Sequence, residues 1–311
     1  MRIPARLLAA LAVSATLAVS ATACGSNDSK DPADAAGSSG GGGDTPLRSA
    51  LSGVPTARSG DVVMFQDVSV TRGLTRGKDK RQYSALAGLN LAELNSYSSG
   101  PLKSYWGFDE SQVDTAVLVG NQPVGRQTGT FDRDAVAAAL KKRGYTEKTD
   151  GGVSRLTKKG ETTVEISDSA RATVADKAKY AVSAQEPDKS LADDPDFRKV
   201  ADCLGDTYEA TLYGESSRNN KDVKLLGIGG HLDGGSRPTE KLCALTVSEK
   251  GAEATAKTLR DSSRKRYKGA KIDEGSGGTP MVTMGWKNTK DVPPGEYNAN
   301  FQLPNAVLHW L

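Results

Sequence analysis

The pattern of apolar and polar residues predicts amphipathic helices with well-marked ends. The clearest begins at Asp194-Pro195 and ends at Gly205. Between these ends the apolar residues have the i, i+3, i+4, i+7 spacing of a single helical face: Phe197, Val200, Ala201 and Leu204. Aspartate before proline favours a helix start and glycine favours a helix end, so local chemistry predicts both bounds.

Three further helical segments are predicted. One is capped by Asp132 or Asp134, carries basic residues in its last turn and ends at Gly144. Another runs from about Ser248 to Lys268, and its apolar positions again lie on one face. The segment 83–94 is also predicted to be helical.

Ten segments have the apolar content or the alternation typical of β-strands. They are 62–68, 115–119, 124–130, 162–166, 172–175, 208–213, 223–228, 242–247, 281–286 and 297–303. They do not alternate strictly with helices, which disfavours a parallel doubly wound sheet. We therefore predict an α+β fold with mainly antiparallel sheet and packed helices. The order of elements in 114–175 and in 206–303 makes an internal duplication of a strand-strand-helix-strand-strand unit a candidate.

Residues 1–23 have the layout of an export signal. Arg2 and Arg6 give a positive start, residues 7–19 are apolar and uncharged, and small residues lead to Cys24. The stretch resembles a bacterial lipoprotein signal, in which the cysteine after the cleavage point is acylated, for example with palmitate. An ordinary secretory signal before a cysteine is the alternative. We expect Cys24 to hold the protein by lipid on the outer face of the cell membrane.

The remaining chain divides where its composition changes. Residues 24–46 join the lipidated cysteine to a linker rich in Gly, Ser and Asp, which lacks any aliphatic side chain larger than alanine and cannot form a core. Such a linker is a flexible spacer. We divide the folded part into an N-terminal α+β half, 47–205, and a C-terminal α+β half, 206–311.

The three cysteines are predicted to have two different roles. With Cys24 assigned to lipid, Cys203 and Cys243 remain as a disulfide pair, because exported proteins fold in an oxidising compartment. Two buried free thiols are the alternative. A catalytic thiol is disfavoured because nothing nearby in the sequence resembles an activating base.

Composition limits the classes of function. The 41 basic and 38 acidic residues give a net charge of +3, without the basic excess of a nucleic-acid binder. A mean hydropathy of −0.48 is too low for a polytopic membrane protein. Because His231 and His309 are the only histidines, most histidine-based metal sites are excluded. We predict no cofactor and no metal.

Catalytic motifs are largely missing from the sequence. It has no H-E-x-x-H and no Walker loop. Residues 262–265 spell S-x-x-K, but the K-T-G element of penicillin-recognising enzymes does not follow. The glycines at 227–230 favour a hairpin with a flexible turn over a phosphate loop. His231, beside Asp233 in this predicted loop, is a candidate for ligand contact or weak catalysis, and we predict a non-enzymatic protein.

A basic stretch with interleaved glycines is predicted to be a loop that contacts a partner. It contains Arg72, Arg76, Lys78, Lys80 and Arg81. Clustered basic residues near a membrane can bind anionic headgroups or wall polymers. A solvated face is the alternative.

Three segments carry a resemblance to a known family. They are WGFDESQVD (106–114), GTFDRDAVAAALKKRGY (129–145) and SLADDPDFRKVADCLGD (190–206). They are similar to segments of secreted lipoproteins of actinobacteria, such as those of streptomycetes. That family has no assigned biochemical function, so the resemblance implies location and architecture and no catalytic residues.

Three classes of function follow. The first is a lipid-anchored, non-enzymatic binding or structural module whose partner is an envelope protein or an anionic wall polymer. The second is a solute-binding lipoprotein of a transporter, which would need two α/β lobes. The third is an envelope hydrolase, which would need His231 or an acidic pair to meet a nucleophile in one cleft.

Overall fold

The computed structural model describes residues 45–87, 102–120, 124–174, 182–217, 220–233, 237–267 and 269–295. The helices in these ranges are α1 (Pro46–Ser52), α2 (Val68–Arg76), α3 (Leu102–Trp106), α4 (Arg133–Lys142), α5 (Pro195–Leu204) and α6 (Glu249–Arg266). Short 3-10 helices occur at Thr56–Arg58, Ser84–Leu86, Glu110–Gln112 and Glu215–Ser217.

The strands of the described residues form one antiparallel sheet. They are β1 (Val62–Asp67), β2 (Val113–Val119), β3 (Gly125–Gly129), β4 (Thr146–Asp150), β5 (Val153–Thr157), β6 (Thr163–Ile166), β7 (Ala170–Val174), β8 (Glu209–Tyr213), β9 (Val223–Asp233), β10 (Arg237–Thr246), β11 (Lys271–Glu274) and β12 (Met281–Lys287). Their order is β11-β12-β10-β9-β8-β1-β2-β3-β7-β6-β5-β4. The predicted α+β class with an antiparallel sheet is therefore confirmed.

Strand β1 joins the two parts of this sheet. It pairs with β2 on one side and with β8 on the other. The two sides of β1 have a similar connection. On each side the chain leaves the sheet to form a helix and later returns to pair with the strand that precedes that helix. On one side α4 follows β3, and β7 later pairs with β3. On the other side α6 follows β10, and β12 later pairs with β10. In the described part of the chain, four strands lie between α4 and α5 and two follow α6, so the parts share a connection and differ there in strand number.

The helices cover both faces of the sheet. Helices α1 and α5 pack on one face, which we call the α5 face, against inward residues such as Phe65 and Leu212. On the opposite α6 face, α6 covers the strands from β8 to β12, and α3 and α4 cover the strands from β2 to β6. Because side chains alternate across a strand, neighbouring residues belong to different faces.

The helix ends follow the capping residues predicted from sequence. The Asp132 carboxylate accepts the backbone N–H of Ala135 at 2.9 Å and begins α4. Asp194 begins α5, and Gly205, with φ +69°, ends it. Asp194 is thus a helix cap, as dipole complementarity favours.

The basic stretch was wrongly predicted to be a loop. Its first part forms α2, which begins where the Asp67 carboxylate accepts the N–H of Val70. Arg72 and Arg76 lie on this helix. The later basic residues follow the helix in turns and are exposed: Lys78, Lys80 and Arg81.

The glycines at 227–230 do not form the predicted turn. They lie inside β9, which continues to Asp233. They are explained by close packing, since a Cβ on Gly227 would lie 2.5 Å from Val200 Cγ1 of α5. Strand β9 lies beneath α5, and small residues let the helix approach the sheet.

Three polar strands were missed by the sequence pattern. They are β4, β5 and β11, and two of them form the ends of the sheet. Of the predicted elements, strand 297–303 and residues 88–94 of helix 83–94 lie outside the described residues, and Ser84–Leu86 forms a 3-10 helix.

The predicted disulfide is confirmed. Cys203 of α5 and Cys243 of β10 are joined, with their Cα atoms 6.3 Å apart. The bond fastens α5 to the sheet at a point where Cys243 is fully buried.

Candidate functional site

A row of buried polar residues crosses the α6 face of the sheet. In register order across the strands, from β7 to β12, the row reads Arg171, Gln127, Ala116, Gln66, Glu209, Gly230, Glu240 and Trp286. We call this the polar row. Burying so many polar groups is costly unless they are paired, so the partners of each group decide what the row can do.

The end of the row near β7 is a cation held among aromatic rings. Arg171 has 0% of its surface exposed, and its Nη1 donates to Gln127 Oε1 at 2.7 Å. Its guanidinium carbon lies 4.8 Å from the centre of the Trp106 ring and 5.5 Å from that of Phe108. These contacts are cation–π interactions that stabilise a buried charge.

The other end of the row is acidic. Glu209 and Glu240 are 3% and 1% exposed, and each is the cross-strand neighbour of Gly230. Their Cα atoms are therefore two strands apart, roughly 10 Å, and both side chains stand on the same face. We call Tyr208, Glu209, Gly230 and Glu240 the acidic end.

Glu240 is well supplied with hydrogen-bond donors. Its Oε2 accepts Trp286 Nε1–H at 2.8 Å, and its Oε1 accepts the backbone N–H of Gly295 at 2.9 Å. Both carboxylate oxygens thus have a donor. Such bonds to a charged acceptor are among the stronger ones in proteins.

Glu209 differs from Glu240 in this respect. Among the described residues, its Oε2 is buried and has no hydrogen-bond partner. The pKa of Glu209 lies well above its usual value, first because burial disfavours the carboxylate and second because Glu240 places a like charge nearby. The acidic end therefore contains one carboxyl group that favours its protonated form.

Tyr208 completes the acidic end. It is 4% exposed, and its hydroxyl also lacks a hydrogen-bond partner within the described ranges. A Cβ on Gly230 would lie 2.6 Å from Tyr208 Cζ and 2.7 Å from Tyr208 Oη, so the ring lies directly over this glycine. Burial and the neighbouring carboxyl groups raise the pKa of the Tyr208 hydroxyl, which keeps its proton.

Two short segments cover the acidic end. Gln66 Nε2 donates to the carbonyl of Leu86 at 2.8 Å, and Glu240 holds the N–H of Gly295. Leu86 and Gly295 touch closely, because a Cβ on Gly295 would collide with the Leu86 side chain. Tyr83, on the same segment as Leu86, meets Tyr208 edge to face with ring centres 6.4 Å apart. The polar row itself fastens both covering segments.

The structure places His231 away from the acidic end. His231 follows Gly230 in β9, so its side chain points to the opposite face. Its Nδ1 lies 2.7 Å from the carbonyl oxygen of Asp206, which requires Nδ1 to donate. Burial lowers its pKa, so the neutral ring is favoured. Asp233 ends the same strand.

The basic residues of the predicted contact loop fall into two groups. Arg72 is structural, because its Nη1 donates to the carbonyls of Glu110 and Val113 at 2.7 and 3.2 Å. Arg76 forms an ion pair with Glu110 at 2.6 Å. Lys78, Lys80 and Arg81 line a shallow surface depression and remain available to a partner.

Other features offer less chemistry. A depression of about 820 Å³ near the start of α5 is lined by charged residues of both signs, with Lys224 and Asp196 paired at 2.7 Å. Among the residues that the structure describes, no three histidine, cysteine or acidic side chains converge as metal ligands.

No helix in those ranges has the length and apolar character needed to cross a membrane. Cys24 and His309 lie outside the described residues.

Sequence reasoning missed the acidic end. Glu240 shares its strand face with Leu242 and Ala244, and a glutamate in line with two apolar residues signals a buried carboxyl group. Glu209 similarly lines up with Thr211 and Tyr213 in β8. The convergence of the two glutamates depends on pairing with β9, which the sequence does not display.

Comparison with known proteins gives a distant structural likeness. No protein-family model matches the chain, and no curated protein matches its sequence. The solved structure of TP0453 in crystal form I is similar over 75% of this chain and 92% of TP0453, with a TM-score of 0.36 and 10% sequence identity. A likeness at this level supports no inference about function, which has to be argued from this chain's own residues.

Proposed function

We propose that the chain is a lipid-anchored, extracytoplasmic protein that acts as a non-enzymatic binding module of the cell envelope. The signal-like residues 1–23, Cys24 and the spacer to residue 46 support the location. The disulfide between Cys203 and Cys243 supports it further, since such bonds persist in oxidising compartments.

The binding role rests on the acidic end of the polar row. Glu209 Oε2 and the Tyr208 hydroxyl are buried and have no partner in the described part of the chain. An unsatisfied buried polar group costs about 1–3 kcal/mol, so two neighbouring ones are an expensive arrangement. A ligand that hydrogen-bonds to both atoms would recover this free energy, and this is the observation that carries the proposal.

The other two classes fit the described residues less well. A two-lobed solute-binding protein needs a cleft between separate α/β units, whereas β1 makes one continuous sheet here. A hydrolase built on His231 needs a nucleophile beside its ring, whereas the ring bonds to a main-chain carbonyl. A hydrolase built on Glu209 and Glu240 needs a carboxylate that can act as a base, whereas both oxygens of Glu240 accept N–H donors and Glu209 favours its protonated form.

A contact with an envelope protein or an anionic wall polymer is assigned to Lys78, Lys80 and Arg81. These residues are exposed and adjacent. Arg72 and Arg76 are excluded from the contact surface because both bind the segment that begins at Glu110.

Lipid anchoring is tested by metabolic labelling with an alkyne palmitate in the native host. Wild type should be labelled and recovered with membranes, and Cys24→Ala should be unlabelled. The double variant Cys203→Ala/Cys243→Ala is the matched control and should keep its label. Label that survives in Cys24→Ala would contradict the anchor.

Binding is tested by extracting small molecules from the full-length protein purified from host membranes. Wild type and Glu215→Gln, a change at an exposed glutamate, should carry the same molecule, and Glu209→Gln should lose it. If folded wild type carries nothing that Glu209→Gln lacks, the acidic end is not the binding site.

A further inference from the structure

We propose that the acidic end binds the cationic amine group of a ligand, through Glu209 Oε2 and the Tyr208 hydroxyl. This inference rests on the binding role proposed above and names the chemical class that the site takes. It is carried by two buried, unpartnered oxygen atoms that lie beside a second buried carboxylate.

The charge balance favours a cation. Glu240 places a like charge beside Glu209, which raises the pKa of Glu209 in addition to the effect of burial. Arg171, the cation of the polar row, is four strands away from Glu209 and bonds to Gln127. At roughly 19 Å it is too far to neutralise the acidic pair. A bound ammonium group would be attracted by the Glu209 carboxylate and by the neighbouring Glu240.

The geometry favours an organic cation over a metal ion. Both oxygens of Glu240 already accept N–H donors, which leaves Glu209 Oε2 as the carboxylate oxygen without a bond. A hard metal ion needs about six oxygen ligands. An ammonium group needs only a few acceptors, and it is further stabilised by aromatic rings within about 6 Å. The Tyr208 ring lies over Gly230, Tyr83 packs against that ring, and Trp286 donates to Glu240.

Entry requires the cover to open. Leu86 and Gly295 close the site, and each is fastened by one hydrogen bond from the polar row. An amine on an unbranched alkyl chain has a small cross-section and would need the least separation of these two segments. The ligand class is therefore an alkylammonium, as in a polyamine or a lysine-like side chain.

Binding changes the protonation of Glu209. The empty site favours the protonated carboxyl group, as its raised pKa indicates, whereas an ammonium ligand favours the carboxylate. Binding therefore releases the Glu209 proton to solvent while the ligand keeps its own protons. Among the described residues, the other ionisable groups that interact with Glu209 are Glu240 and the hydroxyls of Tyr208 and Tyr213.

The test is isothermal titration calorimetry with the full-length protein in detergent, using cadaverine as the probe and 1,5-pentanediol as its uncharged equivalent. We expect saturable binding of cadaverine at neutral pH and none of the diol. Heats measured in buffers of different ionisation enthalpy should show proton release, which binding at a surface carboxylate would not produce.

Variants locate the site. Glu209→Gln should weaken cadaverine by at least about ten-fold, the effect of losing one charge-assisted hydrogen bond. Tyr208→Phe keeps the ring over Gly230 and should weaken binding less, and the exposed control Glu215→Gln should leave it unchanged. Circular dichroism of each variant verifies folding.

Three results would overturn the inference. They are equal affinity for cadaverine in Glu209→Gln, equal affinity for the diol, and saturable binding of Ca²⁺ but not of cadaverine. A host molecule that depends on Glu209 but is not an amine would reject this inference and leave the proposed binding function standing.

Discussion

Glu209 and Glu240 flank Gly230 in one cross-strand row, so two buried carboxyl groups lie on either side of a residue that has no side chain. Neither the Tyr208 hydroxyl nor Glu209 Oε2, both within this group, has a partner among the described residues. The stability of the protein should therefore depend on the ionisation of this pair.

We expect stability to fall as the pH rises above the ordinary glutamate range. The pKa of Glu209 is raised well above 4.5, so the folded state holds a proton that the unfolded chain releases. Unfolding then becomes easier from about pH 4.5 up to the folded pKa, by at most about 1.4 kcal/mol per pH unit for one proton. Urea unfolding across this range measures the slope.

Glu209→Gln should remove this part of the pH dependence. The variant should match wild type near pH 4 and exceed its free energy of unfolding at pH 8, because an amide carries no charge to bury. Glu215→Gln should follow wild type throughout. Parallel curves for all three proteins would show that Glu209 does not govern the dependence.

Gly230→Ala should destabilise the protein through a clash. The new Cβ would lie 2.6 Å from Tyr208 Cζ, and such overpacking costs about 1–3 kcal/mol. Gly285→Ala in β12 is the matched control, since its Cβ would meet no atom within 4 Å, and it should be neutral or slightly stabilising. Thermal unfolding compares them, and equal melting temperatures would contradict the placement of Tyr208.

Replacing both Cys203 and Cys243 by alanine should destabilise the fold. The bond closes a sequence separation of 40 residues, which corresponds to about 4 kcal/mol by loop entropy. Chemical denaturation measures the loss. A reductant should destabilise wild type and leave the double variant unchanged, whereas sensitivity of both proteins would point to another cause.

Arg72 and Lys78 should respond differently to neutralisation. Arg72→Gln breaks hydrogen bonds to the carbonyls of Glu110 and Val113, and we expect a loss of about 1–3 kcal/mol. Lys78→Gln changes an exposed side chain and should leave stability within about 0.5 kcal/mol of wild type. Urea unfolding of the two variants provides the comparison, and similar losses would mean that Arg72 is not structural.

The sequence predicted those elements whose ends are fixed by local chemistry. Asp132 and Asp194 cap their helices as expected because a cap acts over three residues. Helix α2 was missed because its segment is rich in β-branched residues and contains a glycine, and because Val68 and Thr71 are its only fully buried positions. The cap at Asp67 was the available signal.

The acidic end could not be predicted in the same way. It depends on three strands meeting in one register, and β9 places Gly230 between glutamates that are 31 residues apart in sequence. The local pattern identifies each glutamate as inward-facing and does not identify its neighbour. The disulfide was predictable because only two cysteines remained once Cys24 was assigned to lipid.

The central position of β1 has a consequence for folding during synthesis. Residues 62–67 emerge early, but the strand that pairs with their second edge, β8, begins at Glu209. A partly synthesised chain can complete β1 to β7 and still present β1 as an open edge with apolar residues on both faces. Open edges of this kind pair readily with other chains. Until residues 209–213 arrive, β1 remains an edge strand that can associate with another chain.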